Sequence, residues 1–290
     1  MSIGSIWELP DMKSVGIVWL LVLVFFIHDL STQSADSWPE FQKKTRELYF
    51  FLESSSLQNF SCLFTTDSFI GFVETLGDSA YTYPLKLIWM REGKIFYVLQ
   101  PDERLNDPAQ RAQLLEKIQL TKNQFHGFYL DWLSFLIISP VDDIPAAARV
   151  NFRGDTVDVQ YTNQEGSLAA TVRKVFLRSG RLLRVEVESS TEKVINYPQY
   201  QETEGKWICL GWDSQIYVNQ NIASGLSTRL ELSRIQNIWM PIRADVMVQT
   251  AEKPGQKFRS IIFLKGYEFD LPLQELPQPT SPEDSSTTNP

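Results

Sequence analysis

The sequence predicts a mainly β protein of the α+β kind: a highly curved antiparallel sheet or incomplete β-barrel, with helices covering the concave side. Three features point to it. From Val150 onward, short β-rich runs succeed one another with only brief turns between them. Among them Leu183, Val185 and Val187 alternate with Arg184, Glu186 and Glu188, the pattern of an antiparallel strand with one dry and one wet face. Ahead of those runs, residues 125–138 read FHGFYLDWLSFLII and place Phe125, Phe128, Tyr129, Trp132, Phe135 and Leu136 at the spacing of one helical face. A two-sheet sandwich is the structural alternative.

Length and charge narrow the function classes. A chain of 290 residues that is 43% hydrophobic can bury a proper core, in one large domain or two small ones. A formal net charge of -8 opposes nonspecific attraction to nucleic acid or to an anionic membrane. The sequence has no CxxC, no Cys2His2 pattern and no basic cluster with interleaved aromatics, so nucleic acid is not an expected partner.

Taken in order, the chain opens with VGIVWLLVLVFFI at residues 15–27, preceded by Lys13. As a helix this run is about 20 Å long, short of the roughly 30 Å hydrocarbon core of a bilayer. It has the length of a signal-peptide hydrophobic core, and residues 31–35 supply small side chains where cleavage would fall. Glu8 and Asp11 are unusual ahead of such a segment, which makes Met12 a plausible start. Residues 1–35 therefore read as a signal peptide or N-terminal anchor. The expected location is periplasmic or secreted, with membrane anchoring if the segment is uncleaved.

Residues 36–270 read as the folded domain. Ser37-Trp38-Pro39-Glu40 has capping-box spacing and starts a helix expected to reach about Glu53, presenting Phe41, Leu48, Tyr49 and Leu52. An extended region begins at 57–64. Residues 84–90 and 94–99 form a hairpin about Arg91-Glu92-Gly93. Its arms, LKLIWM and KIFYVL, are more continuously apolar than strict alternation gives, so one face is core and the other is covered by a helix or a ligand. Asn106-Asp107-Pro108 caps a helix to about Lys122, with Leu114, Leu115 and Ile118 inward. The aromatic segment follows and ends at Pro140, where prolines frame an irregular connection through Asp142-Asp143. Strands are then expected at 156–161, 168–177, 181–188, 207–210, 215–218, 227–235, 239–249 and 260–264. Residues 271–290, rich in Pro, Ser and Thr, read as a disordered tail.

Catalytic chemistry finds little support. His28 and His126 are the only histidines, so a multi-histidine zinc site is excluded, and Cys62 and Cys209 are too far apart in sequence for a metal motif. GxSxG, GxGxxG and GxxxxGK[ST] are absent. Asp142 and Asp143 are better explained by capping or solvation than by catalysis. Asp131 sits beside Trp132 and points away from the apolar face. The expectation is a protein that is not an enzyme, with no metal and no cofactor. Cys62 and Cys209 are a disulfide candidate in an oxidising compartment, two buried free thiols being the alternative. Asn59-Phe60-Ser61 is a formal glycosylation sequon among apolar neighbours.

Large aromatic side chains on the concave side of a curved sheet either fill its interior or line a lipid-sized cavity. The ligand-binding candidates are Trp89, Phe96, Phe125, Phe128, Trp132, Phe135 and Trp239. Burying a methylene yields about 0.8 kcal/mol, so ten carbons offer roughly 8 kcal/mol before ordering costs.

The layout resembles the periplasmic lipoprotein-localisation carriers (the LolA/LolB-like superfamily). The residues that carry the resemblance are the signal-like start, the helix at 39–53, LQNFSCLFTTDSF, the LKLIWMREGKIFYVLQP hairpin and the meander ending in IWMPIRADVMVQT. It spans about residues 39–270 and is one of layout, without a diagnostic motif. It implies an incomplete antiparallel barrel plugged by helices, with residues 108–138 as the plug, and a partner that is a hydrophobic acyl chain or lipoprotein. The expected function is a non-enzymatic carrier or binding protein for acyl chains, lipid or lipoprotein in the cell envelope. The alternative is an envelope sensor or protein-interaction domain, with an envelope protein as partner and the aromatics as ordinary core.

Overall fold

The computed structural model describes residues 37–77, 81–91, 93–102, 107–165, 168–253 and 255–272. Residues 1–35, expected as a signal peptide or anchor, lie outside these, as does the expected tail at 271–290 apart from its first two residues. The chain divides into two compact units, Met1–Lys43 and Lys44–Pro290. In the first, the described residues open helix α1 (Trp38–Glu47), where Trp38 and Phe41 stack with ring centroids 5.8 Å apart. The strands all belong to the second unit.

Among the described residues twelve antiparallel strands form one sheet, so the sandwich alternative falls. Three come early: β1 (Asn59–Thr66), β2 (Leu85–Met90) and β3 (Ile95–Leu99). Helix α2 (Asp67–Thr75) lies between β1 and β2, and helix α3 (Pro108–Trp132) follows β3. The remaining strands run as a meander: β4 (Arg149–Arg153), β5 (Thr156–Glu165), β6 (Leu168–Leu177), β7 (Leu182–Glu188), β8 (Glu192–Thr203), β9 (Lys206–Val218), β10 (Asn221–Ile235), β11 (Ile238–Thr250) and β12 (Lys257–Phe269). The order across the sheet is β3-β2-β1-β12-β11-β10-β9-β8-β7-β6-β5-β4. The meander thus returns to pair with β1, while β3 and β4 stay as edges and the barrel does not close.

Curvature follows from what α3 touches. His126 Nδ1 lies 3.1 Å from the Tyr97 hydroxyl on β3, and two residues along the helix Phe128 stacks on Trp212 of β9 at 6.0 Å. Those strands are six spacings apart, about 28 Å in a flat sheet, whereas a helix is about 10–12 Å across. The sheet must therefore curl around α3. Register shifts in the β1–β12, β6–β7, β8–β9, β9–β10 and β10–β11 pairs supply the extra bend.

Several elements differ from the sequence expectation. The two helices expected at 108–122 and 125–138 are one helix of 25 residues, closed by a π-helical turn at Leu133–Ile137 in which Ile138 N donates to Leu133 O. The runs at 207–210 and 215–218 are one strand, because Gly211 and Asp213 interrupt the apolar pattern while pairing with β8 resumes across a one-residue register shift. Strand β8 carries Pro198, which it tolerates because pairing with β7 stops at Asn196 and leaves one side unpaired there. Helix α2 is set by Thr66, whose hydroxyl accepts from Phe69 N, and by Phe69 and Val73 buried one turn apart. Helix α1 ends at Glu47 rather than near Glu53, since the chain turns there to make a bridge between Tyr49 and Trp207. Tyr49 OH then donates to Gly180 O and accepts from Leu182 N, tying this segment to the β6–β7 turn.

Asp142 and Asp143 are neither caps nor merely solvated. Lys174, buried on β6, donates to Asp143 Oδ1 at 2.5 Å and to Pro140 O at 3.0 Å, and Tyr161 OH donates to Asp143 Oδ2. Burial lowers the Lys174 amine below its ordinary range, and Asp143 opposes that shift. Asp142 makes a more exposed pair with Arg46, at 3.2 Å. The Asn59 amide is buried and bonded to both the N–H and the carbonyl of Leu271, so it is not an exposed glycan acceptor.

Asp143→Ala should therefore cost about 2 kcal/mol in urea unfolding, because it strands a buried ammonium, while Asp142→Ala should cost under about 1 kcal/mol. Equal losses would contradict the assignment. Gly211 has φ +149°, and a Cβ there would overlap the Thr228 carbonyl across the β9–β10 ladder. Gly211→Ala should cost at least about 3 kcal/mol, whereas Gly71→Ala on α2, where a Cβ meets nothing within 4 Å, should be neutral or stabilising in the same measurement.

Candidate ligand groove beside helix α3

The aromatic candidates on α3 meet aromatics of the sheet. Phe125 stacks on Phe64 at 4.0 Å, Trp132 lies 5.7 Å from Phe60, and Phe60 stacks on Trp89 at 5.3 Å. Phe128 and Phe135 flank Trp212 at 6.0 and 5.4 Å. These separations are contact distances between rings. Trp89, Phe125, Phe128, Trp132 and Phe135, named as ligand-binding candidates, are thus brought together in a packed aromatic core.

The other candidates go elsewhere. Phe96 alternates with Tyr97 on β3, and Tyr97 faces Phe125 and His126, so Phe96 belongs to the opposite face. Trp239 sits at the β10–β11 turn with the Arg234 guanidinium 5.9 Å over its ring. Cys62 and Cys209 are free and buried, which corrects the disulfide expectation. Three strands separate β1 from β9, well beyond the reach of a disulfide. Burial pushes the Cys209 thiol up to about 12, and the Cys62 thiol is raised for the same reason.

Space lies on the flank of α3, where it faces β10, β11 and β12. A groove of about 530 Å³ runs there, within the range typical of small-molecule sites. Its sheet wall is Leu226, Thr228, Val246, Val248, Phe258 and Ile262. These line up because Leu226 pairs with Val248 and Val248 with Phe258, while Thr228 pairs with Val246, which keeps them on one face. Its helix wall is Asn123, Gln124, Gly127, Phe128 and Asp131. Phe258 is 46% exposed, so the groove opens to solvent. Two other depressions, about 480 and 420 Å³, have mostly polar walls at the β7–β8 turn and around Arg173.

Of the aromatic candidates only Phe128 borders this groove. Sequence reasoning missed its sheet wall, because alternation marks those residues as inward-facing without saying whether anything covers them. The helix wall left a faint signal: Gly127 and Asp131 sit one turn apart beside the aromatic stripe. Glycine inside a helix costs about 1 kcal/mol relative to alanine. No neighbour requires it here, since a Cβ on Gly127 would meet nothing within 4 Å.

Asp131 is turned toward the sheet rather than fully into water. Trp212 Nε1 donates to its Oδ2 at 2.8 Å. Burial raises its carboxyl from an ordinary 3.8 to about 6, and the indole bond opposes the shift. Among the described residues no group of three or more His, Cys, Asp or Glu side chains is placed to hold a metal ion, and no helix is long and apolar enough to cross a membrane. No protein-family model, curated protein or solved structure matches the chain.

The raised carboxyl has a defined consequence for stability. Between about pH 4 and pH 6 the folded chain holds a proton that the unfolded chain has released, so this group's contribution falls as pH rises and is level above about 6. Its full size is at most about 3 kcal/mol. Asp131→Asn keeps an acceptor for Trp212 and removes the titration. The variant should gain about 1–3 kcal/mol over the parent at neutral pH and none near pH 4, read from urea midpoints across pH. A parent-minus-variant difference that stays flat would contradict this.

Proposed function

We propose that this protein is a non-enzymatic carrier or binding protein for a single apolar chain, an acyl chain, lipid or lipoprotein lipid, acting in the cell envelope. The observation that supports this reading best is the groove, an open, largely apolar trough between a covering helix and a curled sheet. Its position on the flank of α3 separates ligand space from core, so a chain can enter and leave without disturbing the aromatic packing. About 0.8 kcal/mol per buried methylene is enough driving force for reversible capture of a medium-length chain. Placement in the envelope rests on the apolar segment at residues 15–27. The resemblance to lipoprotein-localisation carriers agrees with this reading.

The tight aromatic core favours a second reading, an envelope sensor or protein-interaction domain in which those rings only stabilise the fold. Gly127→Leu separates the two. It fills the groove from the helix side and improves helix propensity, so thermal stability should hold or rise. If the groove is the binding site, the parent binds the apolar dye Nile red and the variant binds it at least about tenfold more weakly. Absence of dye binding to the parent, or equal binding by both, would overturn the carrier reading in favour of the second.

A further inference from the structure

The polar side chains of the groove bear on the head group of its ligand. Asp131 is the carboxylate in its wall, and one oxygen is engaged by Trp212 Nε1. Among the described residues nothing cationic offsets its burial: the influences on it are desolvation and the indole bond. Arg259 borders the groove, but its guanidinium is taken by Asp245. Arg259 alternates with Phe258 and Ser260, so its side chain belongs to the other face of β12. One turn before Asp131, Gly127 leaves the helix side of the groove open. A half-buried carboxylate in an apolar wall is stabilised by a cationic partner that enters with the ligand.

Resting on the carrier reading, we propose that the groove selects a single-chain amphiphile with an amine head, whose ammonium N–H groups donate to Asp131 while its chain lies on Val246, Val248 and Phe258. A fatty acid is disfavoured by the same geometry, because its carboxylate would bring a second negative charge to the apolar wall beside Asp131. The alcohol of equal length is the neutral reference: it offers one O–H and no charge. A hydrogen bond to a charged group is worth more than a neutral one, enough for about a tenfold difference in affinity or more.

The test is displacement of Nile red from the full chain by dodecylamine, dodecanol and dodecanoate, each below its aggregation concentration and near neutral pH. Dodecylamine is expected to bind the parent at least about tenfold more tightly than dodecanol, and dodecanoate more weakly than either. In Asp131→Asn the ratio of dodecylamine affinity to dodecanol affinity should fall by about tenfold or more. Dodecanoate binding the parent as well as dodecylamine does, or an amine preference that survives Asp131→Asn, would overturn the head-group assignment and leave the carrier reading standing. Failure of the dye and of all three amphiphiles to bind would overturn both.

Discussion

The structure depends on one packing constraint: a single helix supplies aromatic side chains that pack against both β1 and β9 on the concave face of the sheet. Helix α3 meets β1 through Phe125 and Trp132 and meets β9 through Phe128, whose ring lies flat against Trp212. Strands that far apart reach the same helix only if the sheet curls, and each ring contact favours further curling by removing apolar surface from water. The bulges matter for the same reason. They let β1, β9 and β12 bend without losing their ladders, and at Gly211 the chain makes a close approach to Thr228 that only glycine permits, next to the tryptophan that receives the helix.

That constraint also creates the groove. A helix about 10–12 Å across cannot cover every strand of a broad concave surface. Its aromatic stripe is used up on β1, β3 and β9, so the inward side chains of β10, β11 and β12 face the helix flank, where Gly127 supplies no side chain. Core and ligand space are adjacent but separate. Asp131 stands at their boundary, close enough to the core to bond Trp212 and close enough to the groove to form part of its wall.

The strands on the far side of β9 are held by different means. Beyond the end of α3 the chain lays Pro140 and Asp143 over β6, where Lys174 reaches up to both. Tyr49 ties the segment after α1 to the β6–β7 turn and to the start of β9. These are polar stitches, a few hydrogen bonds each, and they hold one end of an open sheet that has no closing strand pair. Opposite them the outer face between β5 and β8 carries Arg173 with Asp158 and Glu186 with Lys193, charge pairs that keep it compatible with water.

The sequence by itself determined the class of the fold, because binary pattern is local. Alternation in 183–188 marks an antiparallel strand whatever its neighbours are, and the spacing of Phe125, Phe128, Trp132 and Phe135 marks a helix face that must be buried. The hairpin at 85–99 was legible from its glycine turn for the same reason. Strand β8, helix α2 and the continuity of β9 were not, since Pro198, Gly71 and Gly211 break the local pattern and only pairing or packing overrides them. Tertiary structure alone decided the site. Whether Val246 or Phe258 faces core or open space depends on which part of the sheet α3 covers. Whether Asp131 is solvated depends on Trp212, 81 residues away. The separation of Cys62 from Cys209 depends on strand order. None of these is a property of a short window, because each is fixed by how far the sheet curls before the helix runs out of aromatic surface.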